Sequence, residues 1–451
     1  MARMLGPGTR RWLRWGLATV AILLIAAGGA VAFVLLHKPG NVSHPNLSFT
    51  RPTPSPPPPP KKPKPVDTFV WPRYGFDAAR TRTFNEPRGL VPPFHVGWRF
   101  QDYELLEFPP VISGTTLYLL DDNGSAKAID KLSGRQIWER RVGTLAAASP
   151  AVGVAERMVF FPLLSTDPHA GQHPGNGRFV ALSMRGGHQV WSRPIAPGTE
   201  SSPLVWNGTV YFGDQGGTIR ALRARDGHLL WSYHASGAVK GGLAYSDGIL
   251  YFGDYAGRVY ALKADSGQQL WAVSTSGAEL GFGSGEFYST PAVAFGRVYM
   301  GNTDGRVYSF AARTGQLAWA TGTGAYVYAS PAVQDTQGLG PTVYIGSYDG
   351  SMYAFDARSG SIRWTHNSGG KISGSPTIVD NVVYFSDLGK KSTAGLDART
   401  GRQVFSFPDG AFNPVISDVH AIYLAGYTTL YQLQPHRASR ATPARGHKSS
   451  G

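Results

Sequence analysis

Residues Val210–Trp231 read VYFGDQGGTIRALRARDGHLLW, and the pattern of this stretch decides the fold. Two short runs rich in apolar residues flank a Gly-Asp turn, and a third run reaches a tryptophan after a second glycine turn. β-Branched and aromatic residues favour strands, whereas Gly and Asp favour hairpin turns. The stretch is therefore predicted to form three consecutive antiparallel strands.

The same pattern recurs along most of the chain. Related stretches begin at Leu250, Val298 and Val343, and short runs such as SPAV at Ser149 and TPAV at Thr290 precede the stretches. Each unit thus has four short strands, and the units repeat every 40 to 53 residues. Four-stranded units of this length are typical of β-propeller blades, which bury their faces only by stacking around an axis.

Three positions of each unit carry the repeat signature. The fourth strand carries an aromatic residue: Trp98, Trp138, Trp191, Trp231, Trp271, Trp319, Trp364 or Phe405. A glycine stands four residues earlier in seven units: Gly134, Gly187, Gly227, Gly267, Gly315, Gly360 and Gly401. In the same seven units a small residue stands ten residues before the aromatic residue: Ala128, Ala181, Ala221, Ala261, Ser309, Ala354 or Gly395. We predict that these positions dock neighbouring blades, because a ring lies flat only where the opposing residue is small and the backbone approaches closely.

Counting the aromatic residues gives the number of blades. Trp98 lies in a strand without earlier strands of its own, and three strands after Phe405 lack a fourth. The N-terminal strand is therefore expected to complete the last blade. The prediction is an all-β, eight-bladed propeller over residues 67–435, in which closure removes the exposed sheet edges.

The two ends of the chain differ from the repeats. Residues 1–15 are a basic segment, and the apolar run Leu17–Leu36 predicts a transmembrane helix over residues 16–36. Four arginines precede this run, which favours a cytoplasmic N-terminus and a propeller outside the cytoplasm. A cleaved signal peptide ending near Ala32 is the alternative. Residues 37–66 form a Pro-rich linker that is expected to be an extended, disordered spacer, and residues 436–451 a disordered basic tail.

The net charge of +14 resides in these ends. Residues 1–66 and 436–451 hold 13 basic and no acidic residues, so residues 67–435 carry 30 basic and 29 acidic residues. This balance gives no basic face for a nucleic acid. The chain has no cysteine, which excludes disulfides, thiolate metal sites and cysteine nucleophiles.

The repeats resemble the pyrroloquinoline-quinone-type propeller repeat, whose small residue, glycine and tryptophan have the same spacing. The segment WPRYGFDAARTRTF at Trp71 resembles the lead-in of many such extracytoplasmic proteins, and the likeness covers residues 69–434. The resemblance implies eight blades. It also implies one of two functions, because the family contains quinone-dependent dehydrogenases of alcohols and sugars and non-enzymatic members such as the propeller lipoprotein of the outer-membrane β-barrel assembly machine.

The quinone enzymes use a tryptophan floor, a calcium site of Glu and Asn, and a catalytic Asp. No residue of this chain is assigned to those roles, so no catalytic residue and no metal ligand is predicted, and the cofactor-binding residues remain unassigned. His169 and His173 near Asp167 lack a fourth ligand. The glycine run Gly281–Gly285 has no following helix, which a phosphate loop requires.

Loop lengths indicate where a binding face lies. Two insertions, at 163–177 and 277–286, leave from the same face of the disc, whereas a third at 334–340 leaves from the other. Loops on a rigid scaffold often carry function, although loop length also drifts at little cost. Glu279 and Glu286 are the carboxylates of the second insertion.

These observations predict a single-pass membrane protein whose extracytoplasmic propeller is a scaffold for envelope proteins or a cell-wall polymer, and not an enzyme. No cofactor is expected in that case. The alternative is a dehydrogenase that uses the quinone and calcium. A polar, carboxylate-bearing pocket at the channel mouth would be required by the enzyme and not by the scaffold.

Overall fold

The computed structural model describes residues 41–45, 47–48, 67–85, 89–167, 175–275, 285–412 and 415–436. These residues form strands, turns and bends, and no helix in them could cross a membrane. The predicted helix at 16–36 and the tail after residue 436 lie outside this part of the chain. The strands form eight sheets, each built on four antiparallel strands, which confirms the predicted eight-bladed propeller.

Blades 1 to 4 follow one another in chain order. Blade 1 consists of Val111–Ser113, Thr116–Leu120, Ser125–Asp130 and Gln136–Arg141. Blade 2 consists of Ala151–Gly153, Met158–Leu163, Gly177–Ser183 and Gln189–Ile195. Blade 3 consists of Leu204–Trp206, Thr209–Phe212, Thr218–Arg223 and Leu229–His234. Blade 4 consists of Ala244–Ser246, Ile249–Gly253, Arg258–Lys263 and Gln269–Ser274.

Blades 5 to 8 complete the ring. Blade 5 consists of Ala292–Ala294, Arg297–Asn302, Arg306–Ala311 and Leu317–Gly322. Blade 6 consists of Ala332–Thr336, Gly340–Gly346, Ser351–Asp356 and Ile362–Asn367. Blade 7 consists of Thr377–Val379, Val382–Asp387, Ser392–Asp397 and Gln403–Phe407. Blade 8 consists of Val415–Ser417, Ile422–Ala425, Thr429–Pro435 and the N-terminal strand Phe94–Gln101.

Blade 8 closes the ring as the sequence predicts. Its third strand pairs antiparallel with the strand from the start of the propeller, and Gln432 lies opposite Trp98. In the seven other blades the small residue of the repeat lies opposite the aromatic residue of the same blade, as Ala128 lies opposite Trp138. A β-bulge follows this pair in each blade. The bulge increases the local twist of the outer strand.

The ring of each repeat tryptophan contacts the next blade. The glycine that it meets is the repeat glycine of that blade: Trp98 meets Gly134, Trp138 meets Gly187, Trp191 meets Gly227, Trp231 meets Gly267, Trp271 meets Gly315, Trp319 meets Gly360 and Trp364 meets Gly401. A Cβ atom at any of these glycines would lie 2.6–2.8 Å from a ring atom. Each indole N–H also donates to a backbone carbonyl of the next blade at 2.8–3.1 Å.

Phe405 differs from the seven tryptophans. It packs against Phe94 of blade 8 with ring centroids 5.6 Å apart, instead of against a glycine. The reason is the closure of the ring, since the third and fourth strands of blade 8 come from opposite ends of the chain and no hairpin turn supplies the glycine.

The core is divided among the blade interfaces. Eight clusters of buried apolar side chains each join two neighbouring blades, and the last joins blade 8 to blade 1. Because apolar burial drives the association of surfaces, each blade is stabilised by both of its neighbours. The ring therefore has no terminal unit with an exposed apolar face.

Part of the predicted linker has a defined structure. Val42 and Ser43 pair antiparallel with Ala320 and Trp319 on the outer edge of blade 5. The buried guanidinium of Arg297 donates to the carbonyl oxygens of Leu47 and Ser48, which extends the attachment. The expectation of a disordered spacer over 37–66 therefore does not hold for these residues, and the proline run lies outside the described residues.

Candidate functional site: the channel mouth

The lead-in segment, residues 67–85, runs along the inner strands of the blades. Val70–Trp71 adds a strand to the inner edge of blade 1, and Thr83–Phe84 adds a parallel strand to blade 7. Between them, the backbone carbonyl oxygens of Pro72, Ala78, Ala79, Thr81 and Arg82 accept hydrogen bonds from the inner strands of blades 2, 4, 5, 6 and 7. The segment thus runs around the axis and ties the inner strands together.

Arg80 fixes this segment from inside. Its fully buried guanidinium donates to the carbonyl oxygens of Tyr74, Ser202, Pro203 and Leu243. Burial lowers the pKa of Arg80 well below its usual value. The four carbonyl acceptors offset that cost, because a buried charge is tolerated only when it is hydrogen-bonded or paired.

Hydroxyl residues two positions before the inner strands form a second ring of hydrogen bonds. The hydroxyl oxygens of Ser202, Thr290, Ser330 and Ser375 accept backbone N–H groups from the preceding blades at 2.8–3.0 Å. The Tyr74 hydroxyl of the lead-in segment donates to Ser375 Oγ at 2.9 Å. The Ser-Pro and Thr-Pro pairs of the sequence thus fix the blades to one another near the axis.

Above this ring the channel opens into a cavity of about 260 Å³, called the cup below. Tyr74 of the lead-in segment lines it, and the remaining walls come from the turns that precede the inner strands and from turns between second and third strands.

One repeat position supplies most of the wall. This position stands four residues before the first residue of each inner strand, and in blades 1 to 8 it holds Glu107, Ala147, Glu200, Lys240, Tyr288, Tyr328, Ser373 and Ala411. Six of these eight side chains line the cup, all except the two alanines. A second position, in the turn after the second strand, adds Tyr255 and Tyr348.

One side of the cup carries charges. Lys240 Nζ lies 3.1 Å from Glu200 Oε1, and Gln215 Nε2 donates to the same oxygen at 2.5 Å. Burial is the main cause that raises the pKa of Glu107 to about 8, and the negative charges of Asp122 and Glu200 add to it. At neutral pH the Glu107 carboxyl is therefore mostly protonated, and the charges on this side of the cup are those of the Glu200–Lys240 ion pair.

The other side is a row of tyrosines. Ring centroids are 6.3 Å apart for Tyr255 and Tyr288, 5.8 Å for Tyr288 and Tyr328, and 4.9 Å for Tyr328 and Tyr348. Burial raises the pKa of Tyr255 and Tyr288, so both hydroxyls stay neutral over the physiological range. The row presents aromatic surface and hydroxyl groups to any ligand in the cup.

A family model described as outer membrane protein assembly factor BamB matches residues 95–238, 217–338 and 329–434. The chain belongs to this family of propellers. A search of curated protein sequences gives no match.

Solved structures show the same fold at low identity. BamB from Moraxella catarrhalis is 15% identical with a TM-score of 0.62, and the alignment covers 77% of this chain and 99% of that one. A europium-containing methanol dehydrogenase is 14% identical with a TM-score of 0.67, with coverage of 82% and 98%. The quinohemoprotein alcohol dehydrogenase ADHIIG from Pseudomonas putida HK5 is 13% identical with a TM-score of 0.66, with coverage of 83% and 81%. Both branches of the predicted resemblance are therefore represented.

The described residues of the cup do not fit the quinone and its calcium. The lining includes Tyr74 and no tryptophan, and it contains neither Asn nor Asp. The Glu200 carboxylate is engaged by Lys240 and Gln215. Across the described part of the chain, no group of three His, Asp or Glu is placed to hold a metal ion. The propeller fold of this family therefore does not by itself supply the side chains that would hold the quinone and calcium.

The predicted insertions lie partly at this mouth. The backbone N–H of Glu286, at the end of the 277–286 insertion, donates to Thr303 Oγ1, and the Glu286 charge contributes to the raised pKa of Tyr255 and Tyr328. Leu164, in the insertion at 163–177, packs in an apolar cluster with Phe108 of the cup. His169, His173, Glu279 and Gly281 lie outside the described residues. The insertion at 334–340 lengthens the first hairpin of blade 6.

The residues of the cup are absent from the sequence-based prediction. The signal that could have found them is a position that varies within a repeated frame. A proline stands three residues after this position in seven of the eight units, Leu243 being the exception, whereas the position itself changes from Glu to Lys to Tyr. The structure is needed to see that these residues converge, because they lie 40 or more residues apart in the chain.

Proposed function

We propose that this protein is a membrane-anchored, extracytoplasmic scaffold that binds an envelope protein or a cell-wall polymer at the cup. The single observation that carries the proposal is the repeat position four residues before each inner strand, whose residue varies between blades and whose side chains line one cavity in six of the eight blades. Packing alone would favour the same residue at this position in every blade. Residues that differ from blade to blade and face one cavity are typical of a recognition surface.

The family adds support to a binding role. The family description and one structural neighbour name an outer membrane protein assembly factor, which is a protein that acts with other proteins. The predicted anchor at 16–36 would keep the propeller at the membrane surface, where such partners reside.

We also propose that the protein acts without the quinone or calcium. The cup residues do not supply the donors that would hold them, so the dehydrogenase alternative has no described site. The purified full chain, supplied with the quinone and calcium, is expected not to oxidise alcohols or aldoses with an artificial electron acceptor. Saturable turnover that depends on the quinone would contradict this expectation.

Site-specific photo-crosslinking in the native envelope tests the scaffold. A photoreactive amino acid replaces Tyr326, a rim residue that is 55% exposed and packs on Tyr328 of the cup. The matched control replaces Val154, which is 52% exposed in a turn between the first and second strands of blade 2, on the opposite face. A defined adduct at position 326 and not at 154 is expected. Identical adducts at both positions, or none at 326, would exclude the cup as the binding surface.

A further inference from the structure

The lining of the cup is rich in rings and hydroxyl groups. Of the eighteen described residues that line it, seven are Tyr or Phe, five are Ser or Thr, and three are Gly. The other three are Glu107, Glu200 and Lys240, so no aliphatic side chain is present among these residues. A site for an apolar group would use aliphatic residues as well. This lining therefore favours a ligand that offers both C–H surface and hydroxyl groups.

The described lining has almost no net charge at neutral pH. Lys240 Nζ lies 3.1 Å from Glu200 Oε1, so these two charges compensate each other. Burial raises the pKa of Glu107 to about 8, which keeps its carboxyl group mostly protonated. A charged ligand would lose its hydration in the cup without meeting an uncompensated opposite charge, and that loss is costly. An uncharged ligand avoids this cost.

The tyrosine row curves instead of forming a flat platform. In the order Tyr255, Tyr288, Tyr328 and Tyr348, consecutive ring planes are inclined by 54°, 80° and 53°. A ligand with several coplanar units would need coplanar rings, whereas inclined rings suit a single unit. The cavity of about 260 Å³ is also smaller than the roughly 300–1,000 Å³ of a pocket that encloses a drug-sized molecule. The cup therefore has room for one compact unit of a ligand.

The row offers hydroxyl groups as well as ring faces. The Tyr348 hydroxyl donates to Ser373 Oγ at 3.3 Å. The hydroxyls of Tyr255 and Tyr328 make no hydrogen bond to another described residue, although both side chains line the cup. A tyrosine hydroxyl is both a donor and an acceptor, so Tyr255 and Tyr328 can each bond to a hydroxyl group of a ligand.

We infer that the cup binds an uncharged saccharide, with one sugar unit packed against the tyrosine row. A sugar ring matches both parts of the lining, because its weakly positive C–H groups are attracted to aromatic faces and its hydroxyls bond to tyrosine hydroxyls. A peptide has fewer hydroxyl groups, and its aliphatic side chains would meet no aliphatic partner among the described lining residues. The inference rests on the proposed function and names the class of its ligand.

An array of immobilised oligosaccharides tests this inference. The purified full chain, labelled and kept in detergent, is applied to oligosaccharides that end in a neutral hexose, an N-acetylhexosamine or a uronic acid. Saturable binding to an uncharged end is expected, with about tenfold or weaker binding to the matching uronic acid, because Lys240 is already engaged by Glu200. Binding to none of these ends, or equal binding to uncharged and acidic ends, would overturn the inference.

Variants of one tyrosine locate the contact. Tyr328→Ala is expected to weaken saccharide binding about tenfold or more, because the ring face and the hydroxyl are both lost. Tyr328→Phe keeps the ring and should weaken binding by a smaller factor, and it remains a test if the alanine variant does not fold. Tyr103→Ala is the control, since Tyr103 is 83% exposed and does not line the cup. Equal affinities of the Tyr328 and Tyr103 variants would place the saccharide elsewhere and overturn the assignment.

Competition on the array resolves the source of the saccharide. The competitors are the bound oligosaccharide in free form and the methyl glycoside of its terminal sugar. Equal potency of the two indicates that a free sugar is a sufficient ligand, whereas greater potency of the oligosaccharide indicates the end of a polymer chain. Both results support an uncharged saccharide. A crosslinked protein adduct at position 326 without any binding to the array would leave the scaffold in place and refute only the saccharide.

Discussion

At the scale of single residues, the repeat tryptophans differ in burial although they share one geometry. Trp319 is completely buried, whereas Trp231 is only partly buried. The added strand Val42–Ser43 covers the edge of blade 5 at Trp319, and no strand covers blade 3 in the same way among the described residues. The cost of removing a ring should therefore depend on the blade that carries it.

Trp319→Ala is expected to lower the free energy of unfolding by about 3–5 kcal/mol, because a fully buried large side chain leaves a cavity and the indole hydrogen bond is lost. Trp231→Ala is expected to lower it by less. The check is thermal and denaturant unfolding of both variants beside Tyr103→Ala, whose side chain is 83% exposed. An equal loss for Trp319→Ala and Tyr103→Ala would contradict interblade packing of the ring.

Glu107 should also make stability depend on pH. Its pKa is about 8 in the folded protein and near the ordinary value of about 4.3 in the unfolded chain, so the folded state binds one more proton between these values. The contribution of this group is present below pH 4 and is lost as the pH rises towards 8. Stability therefore falls with rising pH through this group.

The variant Glu107→Gln removes this titration. We expect its melting temperature to exceed that of the unsubstituted protein by an amount that grows between pH 5 and pH 8, measured by scanning calorimetry at low salt. Glu104→Gln serves as the control and should follow the unsubstituted protein. A constant difference across this pH range would show that Glu107 titrates at an ordinary pKa in the folded state.

At the scale of elements, the lead-in segment depends on Arg80. Arg80→Met is expected to lower the free energy of unfolding by at least about 2 kcal/mol, because four buried carbonyl oxygens lose their donor. Arg135→Met, at an exposed hairpin position, should change it by less than about 0.5 kcal/mol. Denaturant unfolding distinguishes the two variants, and similar small changes in both would mean that the segment is held by its backbone pairing alone.

The elements also show what a sequence can predict. The blades were predictable because each strand and turn is specified locally and the specification recurs, as in the Gly-Asp turn at Gly213 and the tryptophan that follows. The lead-in segment was not, since Arg80 binds carbonyl groups 122 and 163 residues further along the chain. The cup falls between these cases. Its residues occupy one repeat position, but their convergence depends on how the blades are arranged around the axis.

At the scale of the whole molecule, the attachment of Val42–Ser43 limits how far the propeller stands from its predicted anchor. Five residues lie between Leu36 and Val42, which corresponds to at most about 20 Å of extended chain. The sequence alone suggested a long proline spacer between helix and propeller. With residues 42–43 paired to blade 5, the outer edge of that blade would lie near the membrane surface if residues 16–36 span it.

The orientation of the chain across the membrane remains a prediction. A reporter enzyme that works only after export is expected to be active when it is fused after Gly451, whereas a reporter that works only in the cytoplasm is expected to be inactive there. The reason is that four arginines precede the apolar run, and the positively charged side of a membrane helix stays in the cytoplasm. The comparison uses paired fusions to an export-dependent and a cytoplasm-dependent reporter. Activity of the cytoplasm-dependent fusion would reverse the predicted topology.

The strand Phe94–Gln101 and the lead-in segment also determine the order in which this chain can fold. Both come from the beginning of the propeller, but one pairs with Thr429–Pro435 and the other reaches as far as Asn381. During synthesis these segments emerge first and meet their partners last. Neighbouring blades can pair as they appear, whereas sealing the ring and seating the segment inside it must wait for the C-terminal strands. Contacts between such distant residues slow folding, so the newly made protein carries an open ring until its chain is almost complete.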